Sequence, residues 1–256
     1  MAVQDSTRRF SSRVKDYVRY RPAYPAGVID LLKAECGLTS ASVIADIASG
    51  TGIFTRMLLE TGNGERVFGV EPNAEMRSAA EEFLRAHPRF TSVVGTAENT
   101  TLNDHSVDLI TAAQAAHWFD RDKARREFIR IGKPEAWTVL LWNERRTDTT
   151  PFLMAYEQLL VEYGTDYQEV RSERITQQMG TFFAPARFQL RRFDYQQEFD
   201  YPALEGRLLS SSYTPQAGDT SYQPMLHKLQ RIFDEHQVNG RVAFEYDTRV
   251  YYGQLG

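Results

Sequence analysis

The chain has 256 residues, of which 42% are hydrophobic and 25% charged, with 30 Lys and Arg against 34 Asp and Glu and a formal charge of −4. That composition excludes disorder, collagen and coiled coil, and the charge supplies no bulk attraction to nucleic acid or an anionic membrane. With only Cys36 and five scattered histidines there is no intrachain disulfide and no metal-ligand spacing, which fits a reducing cytoplasm and no metal. The opening residues lack an apolar core of signal-peptide length, and the longest apolar runs are too short to span a bilayer.

An N-terminal arm, 1–25, comes first. Residues 1–21 hold six Lys or Arg against two Asp, and Pro22 and Pro25 end any helix before them. From 40 to 143 one rhythm repeats, a short β-rich apolar run followed by a turn and a helical stretch. The predicted strands are 42–47, 66–70, 90–95, 107–111 and 137–142, and the helices between them are 54–60, 74–87 and 121–131. Near-continuous apolar strands imply a parallel sheet with helices on both faces, and right-handed crossovers place any ligand along the C-terminal strand edge. After Asn143 the pattern turns helical at 151–164 and, more weakly, at 171–183, so 144–215 reads as a substrate lid inserted into a single domain. Period-two alternation at 188–199 and 241–254, with a helix at 226–236 between them, predicts a closing antiparallel pair of strands. The whole is α/β, a mostly parallel seven-stranded sheet.

Two features carry chemistry. Asp46-Ile47-Ala48-Ser49-Gly50-Thr51-Gly52 follows the first strand and opens a helix, where glycines permit a sharp turn and close approach of a ligand to backbone N–H groups. Glu71 stands nineteen positions after Gly52, just past the second strand, where a carboxylate can accept from both hydroxyls of a ribose. A tight turn alone would explain the glycines, and the acid raises the pair to a nucleoside site. The dinucleotide fingerprint fails because Thr55 stands where its third glycine belongs, and no Walker lysine is present. A ligand with a ribose and no phosphate fits, and S-adenosylmethionine is one.

At these residues the sequence resembles the class I S-adenosylmethionine-dependent methyltransferases, a Rossmann-like fold, and within them the methyltransferase type 11 group that includes trans-aconitate methyltransferase-like proteins. The resemblance rests on VIADIASGTG (43–52), GVEP (69–72), GTAE (95–98), SVDLITAAQAAHWFD (106–120) and YRPAYP (20–25), together with SSYTP (211–215) and NGRVAFEYDTRVYYG (239–253). It implies that Gly50, Thr51 and Gly52 pass the methionine part of the cofactor with Asp46 supporting the loop, and that Glu71 and the adjoining Pro72 take the ribose. It further implies that Ala97 and Glu98 flank the adenine, and that Gln114 lies near the sulfonium. Ala48 stands where the family usually has Gly, a change the loop accommodates if the Ala48 backbone keeps φ below zero.

The remaining candidates lie at the same edge. His117 is a candidate base and Trp118 a pocket wall whose ring face suits a sulfonium; the alternative is that the aromatics close the core and His117 hydrogen-bonds to backbone. Asn143 and Arg145, with Glu144 and Arg146, end the fifth strand, where they can orient a polar substrate or stand in a solvated loop. Tyr20, Arg21 and Tyr24 of the arm can fold over the cofactor, Arg21 pairing a carboxylate, and Tyr213 joins the substrate candidates. Met57 and Met76 read as core, and the other histidines have no partner pattern. The expected activity is methyl transfer to a small-molecule acceptor, a carboxylate or other oxygen being favoured, with S-adenosylhomocysteine as product. The alternatives are a nicotinamide-dependent oxidoreductase on the same sheet and a non-catalytic, cofactor-holding regulatory protein. Nucleic acid and membrane are not expected partners, and the sequence leaves the oligomeric state open.

Overall fold

The computed structural model describes residues 21–61, 64–165, 167, 179, 181–211 and 213–255. Seven strands form one sheet in the order β3-β2-β1-β4-β5-β7-β6: β1 (Val43–Ile47), β2 (Arg66–Val70), β3 (Phe90–Val93), β4 (Val107–Ala113), β5 (Gly132–Arg145), β6 (Gln189–Phe199) and β7 (Val242–Gln254). Strands β1 to β5 pair in parallel, while β7 runs antiparallel to both β5 and β6. Strand order reverses between β1 and β4, so the C-terminal ends of those two strands open a crevice at the switch point.

The helices are α1 (Gly27–Glu35), α2 (Ile53–Glu60), α3 (Ala74–Phe83), α4 (Arg121–Ile131), α5 (Pro151–Tyr163), α6 (Tyr201–Leu209) and α7 (Tyr222–His236). Their starts are chemically specified. Asn73, Asp120, Thr150 and Asp200 each accept a backbone N–H of the first turn through the side chain. Apolar clusters cover both faces of the sheet, one including Ile47, Ile110, Phe128 and Leu140, the other Ile44, Leu58, Leu109 and Val250.

A third cluster builds a cap. It joins α5, α6 and α7 through Phe152, Tyr156, Leu204, Leu208 and Leu229 to Phe244 and Tyr246 of β7. Arg145, the last residue of β5, pairs with Tyr246, whereas β6 and β7 stay paired out to Phe199 and Val242. The β6–β7 ribbon therefore projects past the parallel strands at their C-terminal edge, and its projecting end is the floor of the cap.

Strand β5 is far longer than the predicted 137–142: it begins at Gly132, paired with Val107 of β4, and its pairing along β7 continues to Arg145. Strand β3 stops at Val93 and α3 at Phe83, both short of the predicted ends. Helices α1 and α6 were not predicted, and α7, which completes the cap, lies beyond the expected lid of 144–215. Residues 1–20, with Tyr20 and the basic arm, lie outside the described residues, as does most of the weak helix at 171–183. Among the described residues, no helix is long and apolar enough to cross a membrane, and no cluster of His, Cys, Asp or Glu could hold a metal.

Candidate active site

The loop after β1 is built on alternating left-handed residues: φ is +52° at Ala48, +56° at Gly50 and +84° at Gly52. Ala48 therefore does not keep φ below zero. It adopts the conformation a glycine would, a strain of about 1–2 kcal/mol that the packed ends of β1 and α2 must hold in place. A Cβ on Gly50 would meet only Met76 Sδ, at 3.5 Å, whereas one on Gly52 would lie 2.8 Å from Leu84 Cδ1. The first glycine thus faces room and the second faces the core.

Asp46 is 1% exposed and accepts from the hydroxyls of Thr55 at 2.6 Å and Thr111 at 2.8 Å, tying β1 to α2 and β4. Burial pushes its carboxyl up to about 6, against the pull of the two threonine bonds and with a smaller push from the Glu71 charge. Each oxygen thus accepts one scaffold hydroxyl. Glu71, 6% exposed, ends β2. Its Oε2 accepts from Gly50 N–H at 3.0 Å and its Oε1 from Asn73 N–H at 2.9 Å. Burial raises its pKa, and the two backbone bonds oppose the rise. A carboxylate offers about four lone-pair sites, so Glu71 retains acceptor capacity beyond these two bonds. The Thr51 hydroxyl of the same loop is buried with no hydrogen-bond partner among the described residues. Pro72 is exposed, and its carbonyl, like that of Glu71, takes Arg77 Nη1 at 2.8 Å.

Beyond β3, Ala97 is buried, and Glu98 accepts the Asp120 N–H at 2.8 Å, linking this loop to the start of α4. Gln114, just past β4, has φ +59°. Its N–H bonds the Leu141 carbonyl at 2.8 Å and its amide bonds the Asn143 carbonyl at 3.1 Å. A non-glycine residue held in that region at the switch point marks stored strain of the kind found at functional sites. His117 and Trp118 follow on a short 3-10 turn, ring centroids 4.7 Å apart. The outer side of His117 is open to solvent, yet enclosing protein desolvates the imidazole and pushes it down to about 4, so it is neutral at pH 7.

At the end of β5, Asn143 donates to the Ala23 carbonyl at 2.8 Å and accepts from Thr248 at 2.6 Å. Arg21 Nη2 bonds the Ser210 carbonyl at 2.9 Å, so the segment 21–24 bridges the end of α6 and the sheet edge. Tyr24 is buried edge-on against Phe54, ring centroids 5.1 Å apart, in the sheet core. Arg145 points into the cap and pairs with Glu157 at 2.5 Å, with Tyr167 completing the group. The Tyr213 ring lies 4.9 Å from that of Tyr167, tilted by 57°, which brings Tyr213 and Arg145 together.

The structure thus gathers Ala48 to Gly52, Glu71, Gln114 and Asn143 along one edge, with Arg145 and Tyr213 above them in the cap. Sequence reasoning missed Arg207, Tyr156 and Tyr246, which line the same part of the cap. Their signal was available for Arg207: in YPALEGRLL it falls three residues after Leu204, on the face of α6 that helical periodicity assigns to the interior.

Residues 45–140 match the family model described as a methyltransferase domain. An uncharacterised methyltransferase-like protein of Schizosaccharomyces pombe is 32% identical over 166 residues, 65% of this chain and 63% of its own length. An uncharacterised methyltransferase of Mycobacterium bovis is 37% identical over 142 residues, 56% of this chain and 55% of its own. The matched part of the chain therefore spans less than two thirds of these relatives. In fold, a candidate type II methyltransferase from Anaeromyxobacter dehalogenans superposes with a TM-score of 0.67 over 92% of this chain and 98% of that one, at 24% identity.

Proposed function

We propose, from the match of residues 45–140 to the methyltransferase-domain model, that the chain transfers the methyl group of S-adenosylmethionine to an oxygen of a small-molecule acceptor. When bound, the cofactor would supply an electrophilic methyl group carried on a sulfonium. The chain's own part is alignment in a pocket that excludes water.

The residues fit such a ligand. Glu71 keeps free lone pairs beside two backbone N–H donors, Gly50 leaves room above the loop, and the buried Thr51 hydroxyl lacks a partner among the described residues. In this reading Glu71 takes both ribose hydroxyls and Gly50 lets the methionine part approach the backbone. Ala97 and Glu98 border the adenine, and Gln114 with Trp118 stands by the sulfonium. A carboxylate acceptor is already ionised at neutral pH and needs no base. A hydroxyl acceptor would have to give its proton to a base, and His117, the candidate, is a weak one with its imidazole pushed down to about 4.

The single observation that carries the proposal is the buried Glu71 carboxylate held against the Gly50 loop at the switch point. Glu71→Gln keeps the shape but removes the charge, so affinity for S-adenosylhomocysteine should fall about 10- to 100-fold, the effect of losing charge-assisted hydrogen bonds. Calorimetry on the folded variant, with NADH as the competing ligand, decides the matter. Unchanged S-adenosylhomocysteine affinity, or preference for NADH, would sink the assignment.

A further inference from the structure

The cap contains a buried positive charge that no carboxylate among the described residues answers. Arg207 is 8% exposed. Its Nη1 reaches the Ser211 hydroxyl at 3.1 Å, while its Nε is buried with no acceptor, and among the described residues no carboxylate pairs with it. Its guanidinium carbon lies 6.0 Å from the centroid of the Phe244 ring, which eases the burial of a cation but satisfies no N–H.

Neighbouring Arg145 sharpens the contrast. It stands 5.7 Å from the same ring and is paired with Glu157. Among the described residues, two arginines therefore share one carboxylate. The other groups facing them are phenols: Tyr156, Tyr213 and Tyr246. Burial pushes Tyr156 above its ordinary value, so it brings no negative charge at neutral pH. The Tyr246 hydroxyl lies within side-chain hydrogen-bond reach of Arg207, and it is itself buried with no acceptor for its own proton among the described residues.

An uncompensated interior charge is among the most costly features a folded protein can hold, and buried donors without acceptors are rare. Here two such donors converge. Their place is equally specific: Tyr246 is the β7 partner of Arg145, two residues along β5 from Asn143, which is about 7 Å of strand. The cluster therefore overhangs the edge that carries Gln114 and the glycine loop.

We propose that Arg207 and Tyr246 form an anion subsite in the cap, and that the acceptor is a small molecule held there by a carboxylate of its own. The carboxylate would take the Nε of Arg207 and the hydroxyl of Tyr246, with Phe244 and Tyr156 as walls. Only the word acceptor rests on the methyl-transfer reading; the binding of an anion does not.

The test uses the whole chain with and without S-adenosylhomocysteine. The probes are succinate, glutarate, benzoate and phenylacetate, each beside its amide. Carboxylates, and not amides, should raise the melting temperature of the wild type and bind in calorimetry. Arg207→Met should weaken that binding by about 10-fold or more and Tyr246→Phe by less, in line with the loss of a charged and a neutral hydrogen bond. Both variants should take up S-adenosylhomocysteine as the wild type does. Without ligand, Arg207→Met should melt higher by roughly 2–4 °C, because it removes a charge that no carboxylate among the described residues pairs. Equal carboxylate affinity in wild type and Arg207→Met overturns the proposal, as does a lower melting temperature for that variant. The melting comparison decides even where none of the four probes fits the pocket. A wild type that ignores S-adenosylhomocysteine yet binds carboxylates through Arg207 would instead remove the methyl-transfer reading and leave the subsite standing.

Discussion

Asp46→Asn isolates the scaffold beneath the loop from the loop's own chemistry. Asn is isosteric, and its amide can accept from one of the Thr55 and Thr111 hydroxyls while donating to the other, so the ties among β1, α2 and β4 survive. What disappears is a buried charge. The carboxyl of Asp46 is raised from 3.8 to about 6, chiefly by burial. Between those pH values the folded state keeps a proton that the unfolded chain has released. Stability from this group is therefore present below pH 4 and falls as pH rises toward 6, which is the direction linkage requires of a raised acid. At about 1.4 kcal/mol per pH unit the loss is about 3 kcal/mol. Urea unfolding from pH 4 to 7.5 should show the advantage of Asp46→Asn over the wild type growing by that amount, while affinity for S-adenosylhomocysteine at pH 7.5 stays the same. Parallel stability profiles would refute the reasoning, and a weakened affinity would show that Asp46 faces the ligand after all.

Gly52→Ala should cost clearly more stability in urea than Gly50→Ala, since the former combines φ +84° with a 2.8 Å contact to Leu84 and the latter adds only the backbone strain of about 1 kcal/mol; equal losses would contradict the loop geometry. Because burial holds His117 at about 4, kcat/KM should show no ionisation between pH 6 and 8 that disappears in His117→Asn. An inflection near 6.5 removed by that substitution would show an ordinary, solvated imidazole. Arg145→Met strands the Glu157 carboxylate, whose side chain is only 14% exposed, and should cost about 3–5 kcal/mol in urea. Adding Glu157→Gln should restore most of it, and no recovery would mean that the pair is not coupled.

The sequence exposed the sheet because parallel strands buried on both faces write themselves as apolar runs, as in VIADI and VDLITAA. The loop and Glu71 were legible for a related reason: glycine spacing and an acid after the second strand are local, and the topology that unites them is regular. Helices α1 and α6 were missed because each is a single short element of nine residues with Gly or Pro near its start, a pattern that reads as a turn. The conformation of Ala48 was misjudged because alanine normally avoids positive φ, and only the closed geometry between β1 and α2 forces it there. Arg207 and Tyr246 stayed hidden for a deeper reason. They lie 39 positions apart in sequence, and their shared isolation from any carboxylate among the described residues exists only once the cap has closed over them.

Strand β7 is one continuous rod serving two bodies. Val250 and Tyr252 are set in the sheet, while Phe244 and Tyr246, on the same strand, form the floor of the cap. A hinge between sheet and cap would have to bend that rod and break the pairing that runs from Trp137 with Gln254 to Arg145 with Tyr246. The floor is thus a cantilever fixed at one end, and an opening of the cap that keeps this pairing intact would move α5, α6 and α7 relative to it. A staple joining α6 to β6 or β7 should accordingly arrest exchange of the acceptor, whereas one joining β5 to β7 should leave it free.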